Sequence, residues 1–405
     1  MPRTAHVPIP ADPAETIMEE LTSFLRFVER GRILPVLGML EERLEEVVSR
    51  EKVFSAAAEE LLSGITGGSY PALREIHDRL NLLEMERFMA SRSVVALHAN
   101  CTHYRDRLAE RALELAAGEL SARGTHPPSR FSLLSMGSDG RREQTLITDQ
   151  DYLLVYADTP GPEGDEYFRE LSLILVDRLE EIGFKKCTGD IMPSNPTWRG
   201  SLSQWRRRLQ AIVRYEYDDY AKNLMDLIVI SDARHVAGDT ELATELIDTI
   251  RSLESDYFQV LWGMAKAATE MKLALGFLKR LWTEGSGEHK GEFNLKLIAW
   301  APLVMNVRIL AINKALPETS TLDRIAALER EGSLSHGVAE GLKEAYLTLT
   351  SHRIMLQIRQ IKGIQKESYY LNPYRLSAEE REELRQSLLR IEELQRMIHI
   401  NFSVM

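Results

Sequence analysis

Cysteine is almost missing from this 405-residue chain, which holds only Cys101 and Cys187. Two thiols cannot build a disulfide framework or a four-thiolate zinc centre, and such sparing use suits a reducing compartment. No apolar run approaches the roughly 18–20 residues that span a bilayer, so no transmembrane helix is predicted. The Pro- and Ala-rich start, Met1 to Pro13, lacks the apolar core of a signal peptide. These absences predict a cytoplasmic protein with no membrane partner. Short-period repeats and low-complexity tracts are missing too. Positive charge is in deficit, with 50 Lys and Arg against 61 Asp and Glu and a formal net charge of −11. Such a chain repels nucleic acid as a whole, which argues against a nucleic-acid partner but leaves room for a local basic cleft. What remains has the composition of an ordinary globular protein, 44% hydrophobic and 27% charged, long enough for two or three domains.

The chain changes rhythm twice. From about Ala14 to Gly118 apolar residues recur at helical spacing, as in Ile17, Leu21, Phe24, Leu25 and Val28, with one break at Gly67-Gly68-Ser69. This predicts an N-terminal helical region over residues 1–122. After the turn-rich Gly124-Thr125-His126-Pro127-Pro128, short apolar runs at Phe131–Met136, Asp151–Tyr156 and Leu224–Ile230 read as strands. Tyr167–Ile182 between them reads as an amphipathic helix. Residues 123–245 are therefore expected to form a domain that mixes strands with helices. Residues 246–405 return to helical spacing. There Ser377 with Glu380 makes a capping box ahead of Leu384, Leu388, Ile391, Leu394 and Ile398, and Ser320 with Asp323 opens another helix.

The chemistry concentrates in residues 131–156. Gly137-Ser138 follows a strand and Gly140-Arg141-Arg142 follows a turn. Glycine lets backbone N–H groups approach an anion, a serine hydroxyl can donate to phosphate, and arginine adds a charged fork. Ten residues on, Thr148-Asp149-Gln150-Asp151 enters an apolar run. On a strand, residues i and i+2 share a face, so both carboxylates would face the phosphates held at Gly137-Ser138. Their mutual repulsion calls for a cation, and Mg²⁺ takes carboxylate and phosphate oxygens. Two such ions can promote an in-line displacement at a nucleotide's α-phosphorus.

This pattern resembles the signature of the DNA polymerase β-like nucleotidyltransferases. Gly140-Arg141-Arg142-Glu143 ahead of the paired acids resembles the uridylyltransferase that modifies the nitrogen-regulatory PII protein. More closely still, Gly137-Ser138-x-Gly140-Arg141-x-Glu143-Gln144-Thr145 and Thr148-Asp149-Gln150-Asp151 resemble a bacterial nucleotidyltransferase family of unknown function, often fused to CBS or cyclic-nucleotide-binding domains. The likeness runs on through Gly183-Phe184, Cys187, Met192, Asn195-Pro196, Trp198-Arg199, Trp205, Asp232-Ala233-Arg234, Gly238-Asp239 and Ser320–Arg324, and so spans about residues 90–405. Gln150 stands where the broad superfamily has an apolar residue, though the closer family shares it. No CBS or cyclic-nucleotide domain is recognisable ahead of the core.

The resemblance implies an α+β fold: a polymerase β-like core with a small mixed sheet, set between an N-terminal helical region and a C-terminal helical bundle. It implies a Mg²⁺-dependent enzyme with two ions, Mn²⁺ being an alternative. That enzyme would move a nucleoside monophosphate from a triphosphate to a hydroxyl, on a signalling protein, and release pyrophosphate. Asp149 and Asp151 would ligate metal, and Gly137, Ser138, Gly140, Arg141, Arg142 and Thr148 would hold the nucleotide. A third carboxylate is expected from Leu224–Asp232, with Asp232 favoured and Asp226 as backup. The competing reading is a nucleotide-sensing regulatory module with little catalysis. The base, the acceptor and any self-association stay open.

Other features are weaker. Asn195–Arg199 and Trp205–Arg208 either line the nucleotide cleft or pack their tryptophans into the core, and the sequence leaves both open. His77-Asp78 reads as an exposed helix face, Cys187 as a small buried side chain, and Glu288-His289-Lys290 as a solvated loop.

Overall fold

The computed structural model describes residues 21, 28–29, 32–159, 162–214, 219–256 and 258–403. The helical reading of residues 14–31, including Ile17, Phe24 and Leu25, lies almost wholly outside them. The chain falls into two compact units, residues 1–59 and 60–405. In the first, the described residues are mainly the first part of helix α1 (Ile33–Ser63), where Leu34, Leu44 and Val53 are exposed.

The second unit begins with α2 (Tyr70–Ser91) and α3 (Val94–Ala122), which pack on one another. Ser93 caps α3 by accepting a hydrogen bond from the Ala96 N–H. The core then runs β1 (Phe131–Ser135), a four-residue turn α4 (Gly137–Gly140), β2 (Asp149–Gln150), β3 (Tyr152–Tyr156), α5 (Glu163–Ile182), β4 (Lys185–Lys186), β5 (Arg199–Ser201), α6 (Leu202–Val213), α7 (Tyr220–Ile230), β6 (Arg234–Gly238) and α8 (Thr240–Asp256). The main sheet has the order β5-β3-β1-β6, with β1 antiparallel to both neighbours and β5 parallel to β3. Every residue of β3 is buried. Helices α6 and α8 pack on the sheet, while α5 packs on α2 and α3. This is the mixed α+β core the sequence predicts.

One expected strand is a helix. Leu224–Ile230 lies in α7, with Leu224, Leu227 and Ile228 buried and Met225 exposed, which is helical spacing. Asp219 caps it by accepting from the Lys222 N–H. A continuous apolar run cannot distinguish a buried strand from a buried helix, and the strand comes only afterwards, as β6.

The C-terminal helices are α9 (Phe258–Thr269), α10 (Ala301–Asn313), α11 (Thr321–Arg330), α12 (His336–Ile361) and α13 (Ala378–Asn401). The capping box at Ser377–Glu380 and the Ser320 cap both form, and Leu384, Leu388, Ile391, Leu394 and Ile398 are buried. A π-helical turn, Lys296–Trp300, runs into α10. Residues 296–313 together are long and apolar enough to cross a bilayer by length and composition, contrary to the sequence reading, but 72% of this stretch is buried inside the protein. A short ladder of β7 (Phe293–Asn294) with β8 (Tyr370–Leu371) holds Tyr369 beside the start of that turn.

Candidate active site

The Gly137 turn is built for close approach. Its φ of +56° is left-handed, and a Cβ at Gly137 would sit 2.7 Å from Asp151 Oδ2. The Met136 N–H donates to the Asp151 carbonyl (2.7 Å), which ties the end of β1 to the start of β3. Gly140 is equally constrained, since a Cβ there would meet the Asp232 carbonyl at 2.1 Å. Between the two acids, Gln150 turns the opposite way. Its buried amide donates to the Val176 and Phe184 carbonyls (both 3.1 Å) and anchors the strand to the end of α5. The polar residue between the carboxylates is thus a tether, and the alternation leaves Asp149 and Asp151 on the other side.

There they line a cleft of about 320 Å³ with Gly137, Ser138 and Thr148. Met225, Ile228 and Val229 of α7, with Val304 and Met305 of α10, form its apolar wall. Lys296, Trp300, Arg353 and Tyr369 complete it from the C-terminal region. Burial pushes the Asp151 carboxyl above its ordinary range and the charge of Asp149 adds to that, while the Cys187 thiol and Lys296 oppose it. Burial likewise pulls the Lys296 ammonium down. Cys187 is only half-buried, and burial followed by the Asp151 charge pushes its thiol up to about 11.

The loop between Gly140 and Thr148 is pinned from both sides. Fully buried Arg105 of α3 donates to the Gln144 side chain (3.2 Å) and to the Thr145 and Leu146 carbonyls. His98 Nδ1 donates to the Gln144 carbonyl (2.7 Å), leaving Nε2 for the Tyr346 hydroxyl of α12 (3.1 Å). Gln357 of α12 donates to Thr145 Oγ1 (3.0 Å) and accepts from the Ile147 N–H (3.3 Å).

Not every candidate residue reaches the cleft. Arg141 borders it, but its guanidinium is held by Glu143 (2.8 Å) and Asp232 (2.6 Å). Arg142, at φ +56°, is exposed and lines a separate cavity of about 450 Å³ with His103, Asp106 and Asp323. Asp232 lies behind the cleft with no exposed surface, and its oxygens accept from Arg141, Arg308 (3.1 and 2.5 Å) and Arg324 (3.0 Å). Burial alone would raise this carboxyl, but the three cations hold it below the usual range. Asp226 is half-buried on α7 beside Trp198, Trp205 and Arg208. Among the described residues, therefore, only Asp149 and Asp151 bring carboxylates to the cleft.

The open question over residues 195–208 resolves towards the core. Trp198 and Trp205 are buried, and the Trp205 indole N–H donates to the Leu154 carbonyl (3.2 Å). Arg199 spends its guanidinium on the Pro193 and Ser194 carbonyls. The larger groove that Arg199 and Arg208 border, about 680 Å³, lies away from the paired acids. His77 is buried against Phe184 and not on an exposed face, because Gly183 leaves room for its ring. Sequence reasoning missed Lys296, Arg353 and Tyr369. One signal was available for Arg353: it shares the buried face of α12 with Tyr346, Leu349, Thr350 and Gln357, where an arginine needs a reason.

A mixed sheet that sets a glycine-serine turn against two same-face carboxylates in a cleft defines a nucleotidyltransferase core. The chain belongs to a nucleotidyltransferase family: residues 79–219 match the family described as "Putative nucleotidyltransferase DUF294", and residues 258–402 match its companion, "Putative nucleotidyltransferase substrate binding domain". Among curated proteins it is similar to the bifunctional glutamine synthetase adenylyltransferase/adenylyl-removing enzymes. With that of Mycobacterium bovis it is 25% identical over 253 residues, 61% of this chain and 24% of the relative. With that of Cutibacterium acnes it is 23% identical over 305 residues, 69% of this chain and 29% of the relative. The chain thus spans about a quarter of the length of the curated relatives it matches.

Proposed function

We propose that this protein transfers a nucleoside monophosphate from a Mg²⁺-bound triphosphate to a hydroxyl on a protein, releasing pyrophosphate. The observation that carries this reading is the pairing of Asp149 and Asp151 on one wall of the cleft, with Gly137 stripped to hydrogen beside Asp151 Oδ2. Two hard oxygen donors that repel one another suit a divalent cation, and the missing Cβ at Gly137 is what lets the Asp151 carboxylate lie against the turn. Asp149 and Asp151 would hold the metal, which when bound supplies Lewis-acid stabilisation of the phosphates. Ser138, which lines the cleft beside the acids, would donate its hydroxyl to the donor's phosphates. The apolar wall of Met225, Ile228 and Val229 excludes water from the reacting face and offers a surface for the base.

The reading drops Asp232 and Asp226 from the metal site and gives Asp232 a structural part, holding the Gly140–Glu143 turn to α10 and α11. The relatives' names favour an adenylyl over a uridylyl donor and a protein acceptor. We keep the division into residues 1–122, 123–245 and 246–405 as the working one, with the transfer site built on the middle part and closed by the last.

The test is calorimetry with ATP and UTP, with and without Mg²⁺, beside transfer of α-phosphate label to proteins of a bacterial extract. ATP should bind in a Mg²⁺-dependent way. Changing Asp149→Asn with Asp151→Asn should lower transfer at least ~100-fold, as expected for loss of metal stabilisation. Undiminished transfer by that variant would overturn the mechanism.

A further inference from the structure

We infer that the donor's terminal phosphates are held from the C-terminal helical region, by Arg353 and Lys296, and not by the arginine pair that follows Gly140. This rests on the transfer reading for the identity of the ligand and assigns the side chains that bind it.

Around the cleft, the buried arginines differ in what they meet. Arg141, Arg308 and Arg324 converge on Asp232, and Arg141 also meets Glu143. Arg353 is 7% exposed, and its Nε and Nη1 are buried with no hydrogen-bond acceptor among the described residues. Among the described residues no carboxylate lies within ion-pairing distance of it; its guanidinium rests on the Trp300 ring, 4.5 Å from the centroid. A buried guanidinium with idle donors is costly, and native proteins rarely keep one without use. Lys296, half-buried, is a second cation on the cleft wall. Its ammonium lies 5.4 Å from the Tyr369 ring centroid and, among the described residues, likewise has no ion-pair partner.

The backbone is arranged to deliver both groups. Lys296 and Trp300 are the first and last residues of the π-helical turn, a wide turn that recurs at functional sites. Both line the cleft, so the turn presents the ammonium and, through Trp300, supports Arg353. The Leu295 N–H donates to the Tyr369 carbonyl (2.8 Å), which holds the Tyr369 backbone beside the start of the turn. The cleft therefore has an acidic wall at Asp149 and Asp151 and a cationic one at Lys296 and Arg353. A metal-bound triphosphate matches that polarity: its α-phosphate lies at the acids and its β- and γ-phosphates meet the cations. One turn beyond Arg353, Gln357 grips Thr145 and Ile147, so α12 ties the clamp to the loop leading into Asp149. Both family regions are then needed to bind donor.

The test titrates inorganic tripolyphosphate into the full chain in EDTA, where the metal site makes no contribution. Wild-type protein should bind it. Arg353→Met, which keeps the packing on Trp300, and Lys296→Met should each bind about tenfold or more weakly, as expected for losing a charged hydrogen bond. Arg353→Met should melt no lower than wild type, because it removes an unpaired buried charge; an arginine serving only the fold would lower the melting temperature. If Arg353→Met does not fold, Lys296→Met decides. Absence of tripolyphosphate binding by wild type, or wild-type affinity in the folded variants, overturns the clamp. Asp149→Asn with Asp151→Asn should keep metal-free tripolyphosphate binding while losing transfer. Normal binding by the clamp variants with transfer lost in the aspartate variant would sink the clamp and spare the transferase. Transfer retained in the aspartate variant would sink the transferase mechanism and spare the clamp.

Discussion

Replacing Asp232 with asparagine separates a structural acid from a metal-binding one. The carboxylate has no exposed surface and accepts four hydrogen bonds from Arg141, Arg308 and Arg324. Asparagine keeps the shape but removes the charge, and its NH₂ would point donors at donors. Glu143 still serves Arg141, yet Arg308 and Arg324 lose their only ion-pair partner among the described residues. Arg308 is strained already, since burial outweighs Asp232 and brings its guanidinium down to about 10. Stranding one buried charge costs about 3–5 kcal/mol, and two are stranded here, so a loss at the upper end is expected. The assay is urea unfolding of metal-free protein, comparing Asp232→Asn with Asp149→Asn. An acid reserved for metal burdens the empty protein, so Asp149→Asn should match or exceed wild-type stability. If Asp232→Asn also unfolds at or above the wild-type midpoint, the structural assignment fails and the third-metal-ligand reading returns.

Gly137→Ala forces a Cβ to 2.7 Å from Asp151 Oδ2 at a left-handed φ; it should cost about 1–2 kcal/mol and abolish Mg²⁺-dependent ATP binding, measured by thermal melt and calorimetry. Gln150→Leu removes both amide bonds to the end of α5 and should lower stability by about 1–3 kcal/mol, read in urea; an unchanged midpoint would show the tether is idle. Burial, then Arg105, lowers the His77 imidazole to about 4, below its ordinary value. The unfolded chain therefore takes the proton first, and stability falls as pH drops through the window from about 6.5 to about 4, by up to ~1.4 kcal/mol per unit. His77→Leu should lose less melting temperature than wild type between pH 7 and pH 5; equal losses would place His77 in water.

Much of the site was legible because its rules are local. A glycine-serine turn after a strand, alternation that puts Asp149 and Asp151 on one face, and serine caps at Ser320 and Ser377 each involve a few neighbouring residues. The same reasoning failed at Leu224–Ile230, where a seven-residue apolar run had no polar alternation to separate strand from helix. It also placed Arg141 and Arg142 together on phosphate, although one turns inward to Asp232 and the other outward to a different cavity.

The sequence by itself determined the class of fold and the parity that turns Asp149 and Asp151 to one face beside the glycine turn, since side-chain parity is set within a few residues. Only the tertiary structure decided which charges are free to act. Asp232 meets arginines 76, 91 and 92 positions away, and their packing spends its charge. Among the described residues, the same packing leaves Lys296 and Arg353 on the cleft wall without an ion-pair partner. Such neutralisation depends on which distant helices share a core, and no local pattern records it.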